Sequence, residues 1–311
     1  MECNKEQGAA IIVALFVMSI VAGIAIILMS RLSMDVDHTA LWLRNNQNRL
    51  LGEGAVDWAR ETLGNDWKKR QPNQVIDRTP INSPLDQVGH QHIVSRIEDA
   101  QGFFNVNNVI DEKSAEQFAR LVRVVEPEFN EAAARNIAHA VLNWISPLSD
   151  SSRDDYYATC HPPYRAAHRL MASVSELRLV QGMTPQLFLA LAPFILALPE
   201  SSTPININNV SIPVLMSLDP AFTYDVARSI VMTAKASPFV SVTDVMALQA
   251  LKDHPVESAQ LTVESHYFLV KTNVFTAKID ESEMVLYTLI QRKDQNGRPK
   301  QMIVSETTEV L

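Results

Sequence analysis

His90 and His92 are separated by one residue. On a strand such positions share a face, so both imidazoles could reach one metal ion. No third ligand accompanies them at matching spacing, and exposed histidines at a strand edge are the simpler reading. Cys160 and His161 put a thiol beside an imidazole, yet adjacency in sequence does not make a nucleophile and its base. The other cysteine, Cys3, lies in the amino-terminal leader. Cys160 therefore has no disulfide partner beyond the leader and is expected to be a small buried apolar side chain. No Gly-x-Ser-x-Gly elbow, Walker loop or dinucleotide fingerprint is present. The chain reads as a non-enzyme. The catalytic alternative is a membrane-anchored periplasmic hydrolase, which a metal bound at His90 and His92 would mark.

The first element that must position anything is the amino terminus. Residues 9–30 carry no charge, follow Gly8 directly and stop at Arg31. A helix over them spans about 33 Å, enough for the hydrocarbon core of a bilayer. Three readings fit. A cleaved secretory signal would have a basic start, a shorter apolar core and a small-x-small site after it. Here the leader sets Lys5 against Glu2 and Glu6, and the apolar run is long. A plain signal anchor fits the length, but Lys5 against Arg31 and Arg44 leaves the orientation open. In a prepilin-type leader, polar residues end in Gly8 and cleavage falls before Ala9, so the helix stays on the mature chain.

Helical spacing continues past Arg31 through Leu41, Trp42, Leu50, Leu51, Ala55, Trp58, Ala59 and Leu63. This predicts one helix of roughly 50 residues, half in lipid and half amphipathic, weakened at Gly52 and Gly54 and ending at Gly64-Asn65. The rest of the chain is long enough for two domains, and the whole is 47% apolar and 20% charged. A formal charge of −8 argues against nucleic acid as a main partner.

Residues 92–98, 266–279, 284–293 and 301–307 read as strands, with Asn296-Gly297 as a hairpin turn between the last two. Between the first strand and the others lies a helical stretch of about 100–260, with helices expected at 114–125, 130–144, 173–179, 184–196, 210–218, 224–234 and 242–247. The fold class is therefore α+β, with a helical domain inserted into a small sheet. Phe104-Asn105-Val106-Asn107-Asn108-Val109 and Ile205-Asn206-Ile207-Asn208-Asn209-Val210 form an internal repeat. Asn108 and Asn209 are each placed to cap the helix that follows, a structural junction used twice.

Several of these segments carry a family resemblance. The run Ile97-Glu98-Asp99-Ala100-Gln101-Gly102-Phe103-Phe104-Asn105-Val106-Asn107-Asn108 resembles the E-D-x-x-G-x-x-N-x-N run of the type II secretion system minor pseudopilin K family. Pro162-Pro163-Tyr164-Arg165-Ala166-Ala167-His168-Arg169, the stretch from Ser173 to Met183, and Gly54-Ala55-Val56-Asp57-Trp58-Ala59 are similar to it too. The similarity runs from the leader to about residue 250.

The resemblance implies a pilin-like fold, a long N-terminal helix on a small antiparallel sheet, with a large all-α insertion domain. It divides the chain into a leader (1–8), a transmembrane part (9–30), a pilin-like first part (31–99), the insertion (100–261) and a C-terminal β part (262–311). It implies prepilin peptidase cleavage between Gly8 and Ala9, a single pass through the inner membrane and a periplasmic globular part. It also implies a place at the pseudopilus tip with minor pseudopilins I and J, supporting export of folded proteins. Counting from Ala9, the fifth residue is Val13, where the wider pilin superfamily carries an assembly Glu and the K family lacks it. An intramembrane carboxylate is costly unless paired, so Val13 suits a subunit with no neighbour above it.

Calcium binding is also implied, in the loop from Trp144 to Tyr157, where Asp150, Asp154 and Asp155 could supply oxygens. Ser146 and Arg153 stand where the family has acids, which weakens the site. A helix-hairpin-helix DNA-binding reading of 177–197 and 229–247 lacks the Gly-rich hairpins, having only Gly182 in the first and Ala236-Ser237-Pro238 in the second. No nucleic-acid partner is expected.

Overall fold

A computed structural model describes residues 3–68, 79–84, 86–147, 155–248, 251, 257–275, 284–295 and 298–308. Helix α1 runs Cys3–Lys68, 66 residues, longer at both ends than the sequence pattern predicts. Gly64 does not end it. A Cβ there would lie 3.1 Å from Nε2 of Gln301, so this glycine leaves room for that side chain. The chain divides into two compact units, residues 1–53 and 54–311. In the first, Ile12, Val13, Phe16, Ile26 and Met29 are all exposed, and the helix is long and apolar enough to cross a membrane.

In the second unit, Val56, Ala59 and Leu63 recur on one face of α1 and are buried against Ile97, Phe268, Val270, Leu286 and Ile290. Those partners belong to an antiparallel sheet of β1 (Ile81–Asn82), β2 (Asp86–Val88), β3 (Gln91–Asp99), β8 (Tyr267–Phe275), β9 (Met284–Gln295) and β10 (Arg298–Thr307). Its order is β1-β3-β8-β9-β10, with β2 also on β3. β3 and β8 are neighbours in register Ile97↔Val270 although residues 100–266 separate them. Each expected strand has a counterpart among the described residues; residues 276–279 of the second lie outside them. The Asn296-Gly297 turn lies outside the described residues, between strands that pair as a hairpin would.

The intervening stretch is mainly helical: α2 (Glu112–Val125), α3 (Glu131–Ile145), α4 (Asp155–Ala158), α5 (Pro185–Leu191), α6 (Ile212–Leu218), α7 (Tyr224–Ala236) and α8 (Val242–Met246). Its core is built on Phe118, Leu121, Val141, Leu177, Leu191 and Leu215. Two short parallel ladders run through it. β4 (Phe104–Asn105) pairs β5 (Ile195–Leu196), and β6 (Ile205–Asn206) pairs β7 (Leu261–Thr262). The helix expected over 184–196 therefore stops at Leu191. Pro193 cannot continue it, and Ile195 and Leu196 become a strand. Residues 174–179 form a 3₁₀ helix rather than an α-helix.

The ladders expose a duplication. Each repeat of the Asn motif opens a module that closes on a strand pairing with its first: β4 with β5, then β6 with β7. Asn108 and Asn209 do not cap the following helices. Asp111 caps α2 in a capping box with Ser114, and Ser211 starts α6 without a side-chain bond. The first asparagine of each motif makes the local turn instead: Asn105 Oδ1 accepts from Asn107 N and Asn206 Oδ1 from Asn208 N, both at 3.0 Å.

Candidate assembly site

α1 places Gly8, Ala9 and Val13 on one continuous helix, and Val13 is exposed among apolar neighbours. Two further features bear on an assembly role: the region implied for calcium, and the seam that carries the helical stretch on the sheet.

Asp150 and Asp154 lie outside the described residues, and Asp155 is exposed at the start of α4. Ser146, at the C-terminus of α3, has both oxygens engaged. Its hydroxyl donates to Leu142 O at 2.7 Å, and its carbonyl lies 3.0 Å from Nδ1 of His168. Of the three carboxylates named for calcium, only Asp155 lies among the described residues, and the ion wants six to eight oxygens. Among the described residues no three His, Cys, Asp or Glu side chains cluster as metal ligands. His90 sits exposed in the turn between β2 and β3, whereas His92 stacks on Phe275 with centroids 5.5 Å apart, so the two do not share a strand face. Cys160 is half-buried after α4 rather than a core residue, its Sγ 3.6 Å from Tyr156 O. Nearby, burial and then a hydrogen bond with Cys160 push the Tyr164 phenol up to about 12.

The seam is better built. Asp99 ends β3 and is buried, a costly position for a carboxylate unless donors surround it. Oδ1 accepts from Gln101 N at 2.8 Å, and Oδ2 accepts from Asn206 Nδ2 at 2.7 Å, Asn209 Nδ2 at 2.6 Å and Ser265 Oγ at 2.6 Å. Gln101 spans the same gap, donating to Pro204 O at 2.8 Å and accepting from His266 N at 2.5 Å. Glu200 reaches the sheet from the other module: Gln291 Nε2 donates to it at 3.1 Å, and Lys293 lies 3.7 Å away. Burial, then the bond with Glu200, raises the Tyr267 phenol above its usual range. Beneath these contacts Leu196 and Leu198 bury Tyr267, Leu269 and Leu289 on the second face of the sheet. Helical region and sheet are thus fixed to each other by apolar packing and by a buried carboxylate.

Asp99 and Gln101 stand in the sequence run that carries the resemblance, yet nothing local marks them as bridges. Their partners across the seam are about a hundred residues or more away. The Asn repeat was the usable signal, since Asn206 and Asn209 both donate to Asp99.

A helix long and apolar enough to cross a membrane, laid by its last turns on an antiparallel sheet, with a helical region inserted between adjacent strands, is the fold of a pilin-like subunit. Comparison with known proteins makes this specific. Two models of one family, described as Type II secretion system (T2SS), protein K, match residues 102–200 and 205–264, together about half of the chain. The chain belongs to the type II secretion system protein K family, the K minor pseudopilins. The family-model boundary falls between the two modules seen in the fold.

Type II secretion system protein K of Pectobacterium carotovorum subsp. carotovorum is 28% identical, over 94% of this chain and 95% of that protein. Its namesake in Pseudomonas aeruginosa is 27% identical over 93% and 90%. Among solved structures, a chain of the GspK-GspI-GspJ complex from the enterotoxigenic Escherichia coli Type 2 Secretion System superposes with a TM-score of 0.71. It is 21% identical, covering 87% of this chain and 98% of that one, and shows the same fold.

Proposed function

We propose that this chain is a non-catalytic minor pseudopilin seated at the tip of a type II secretion pseudopilus, in complex with minor pseudopilins I and J. Prepilin peptidase removes the leader after Gly8, and the helix from Ala9 crosses the inner membrane with the globular part in the periplasm. The finished tip supports export of folded proteins across the outer membrane. In this reading residues 31–99 and 262–311 are the pilin-like part and residues 100–261 the insertion, whose bulk suits a filament end better than a repeating shaft. Val13 leaves no carboxylate in the membrane that would need a partner above it.

The observation that carries the reading is the likeness to a protein solved together with GspI and GspJ, matched over nearly its whole length. The test is co-expression of the full chain with the I and J pseudopilins of the same system, followed by purification and native mass spectrometry. A stable 1:1:1 complex, an amino terminus at Ala9 and loss of secretion on deletion are expected. Absence of the complex together with normal secretion would sink the proposal.

A further inference from the structure

Arg292, on β9, is 1% exposed and lies between two rings. Its guanidinium carbon is 4.6 Å from the centroid of Trp67, on the last turn of α1, and 4.6 Å from that of Phe268 on β8. Its Nη2 donates to Ser265 O at 2.9 Å, and its backbone N donates to His266 O at 2.7 Å. The hydroxyl of Ser265 then donates to Asp99, whose same oxygen receives Asn206 and Asn209. An unbroken series of contacts therefore runs from the end of α1 to the first turn of the second helical module.

The apolar contacts reach the second module by a different route, through the core it shares with the first. The cluster under α1 ties Leu63 to the sheet alone, and the cluster on the opposite face ties the sheet to Leu196 and Leu198 of the first module. An arginine suits the position for a chemical reason: a planar guanidinium can stack on two rings and still present an in-plane N–H to a carbonyl. A methionine would fill the slot with less desolvation but would not hold Ser265.

We propose that Arg292 is a coupling element, joining the last turns of α1 to the second helical module so that a perturbation at either end changes the stability of the other. The coupling stands on these contacts whether or not the chain occupies a pseudopilus tip. Spatial continuity alone does not establish coupling; a reciprocal energetic effect does.

The experiment is amide hydrogen exchange by mass spectrometry on the full chain in detergent micelles. Arg292→Met and Trp67→Leu are expected to speed exchange in residues 205–218 about tenfold or more, while Lys293→Met, next along the strand and exposed, changes it less than about twofold. Asn209→Ala should in turn speed exchange in residues 60–68. Changes confined to residues 60–68 and 265–292, with 205–218 as in the parent, would overturn the proposal, as would an Asn209→Ala effect that stops at Asp99. Should Arg292→Met fail to fold, Arg292→Lys and the reciprocal pair Trp67→Leu and Asn209→Ala decide it, the double variant departing from additivity if the coupling exists.

Discussion

Asn208 closes both backbone hydrogen bonds of Phe239: its Nδ2 donates to Phe239 O at 3.0 Å, and its Oδ1 accepts from Phe239 N at 2.8 Å. Asn107 does the same for Met171, at 2.9 and 2.8 Å. The two asparagines occupy matching places in the sequence repeat, so the repeat encodes a clamp as well as a turn. Each clamp pins a distant loop across its own module, where a buried backbone group without a partner would be expensive.

Asn107 is fully buried and also donates to Leu198 O at 2.7 Å. Asn107→Ala would orphan three backbone groups, and a loss of about 2–4 kcal/mol is expected. Asn107→Asp should be as damaging, because a carboxylate has no N–H for the two carbonyls. Asn208→Ala, at a half-buried site, should lose about 1–2 kcal/mol. Urea unfolding of the full chain in detergent measures all three; equal stabilities for Asn107→Ala and the parent would refute the clamp.

Two glycines should respond oppositely to alanine. A Cβ on Gly102 would lie 2.6 Å from the backbone oxygen of Asn209, so one module cannot close on the other without a shift. Gly102→Ala is expected to cost about 2–3 kcal/mol. Around Gly54, inside α1, nothing lies within 4 Å of a new Cβ. Gly54→Ala should stabilise the helix by up to about 1 kcal/mol. Melting temperatures moving the same way in both variants would contradict the packing described.

Burial and the hydrogen bond with Glu200 hold the Tyr267 phenol protonated above its ordinary pKa of about 10. Between that value and its raised folded value, the unfolded chain gives up a proton that the native chain keeps. The stabilisation is thus complete below about pH 10 and lost as pH rises further. Tyr267→Phe should flatten the fall in melting temperature between pH 10 and 11 while lowering it at pH 8, where the bond to Gln291 Nε2 at 2.5 Å is lost. An unchanged alkaline slope in the variant would show that another group governs it.

Much of this fold was legible because its signals are local or periodic. The apolar run, the strand alternation at 92–98 and the helical spacing of 114–125 each report a buried face directly. What escaped were features decided by partners far along the chain. Gly64 reads as a helix stop until Gln301 is placed over it. Ile195 and Leu196 read as helix until Phe104 and Asn105 offer a strand. Asn108 looks like a helix cap, but its side chain is drawn to Thr203, whose N donates to Oδ1 at 2.9 Å and whose O receives Nδ2 at 2.8 Å. The buried cation Arg292 was hidden for the same reason, since the rings of Trp67 and Phe268 that enclose it come from other elements.

The calcium question turns on Ser146. Its hydroxyl closes the last turn of α3, its carbonyl faces His168 and it brings no carboxylate, and Arg153 adds a positive charge in the neighbouring sequence. Calcium at 1 mM is therefore expected to raise the melting temperature by less than about 1 °C, the shift for a site half filled at that concentration. Ser146→Asp combined with Arg153→Glu would restore two acids and remove the cation. That variant should gain a calcium-dependent shift of several degrees, reversed by a chelator. A large shift in the parent would mean that Asp150, Asp154 and Asp155 suffice without the residue at 146. No shift in the double variant would mean that the backbone of this region has lost the geometry along with the charges.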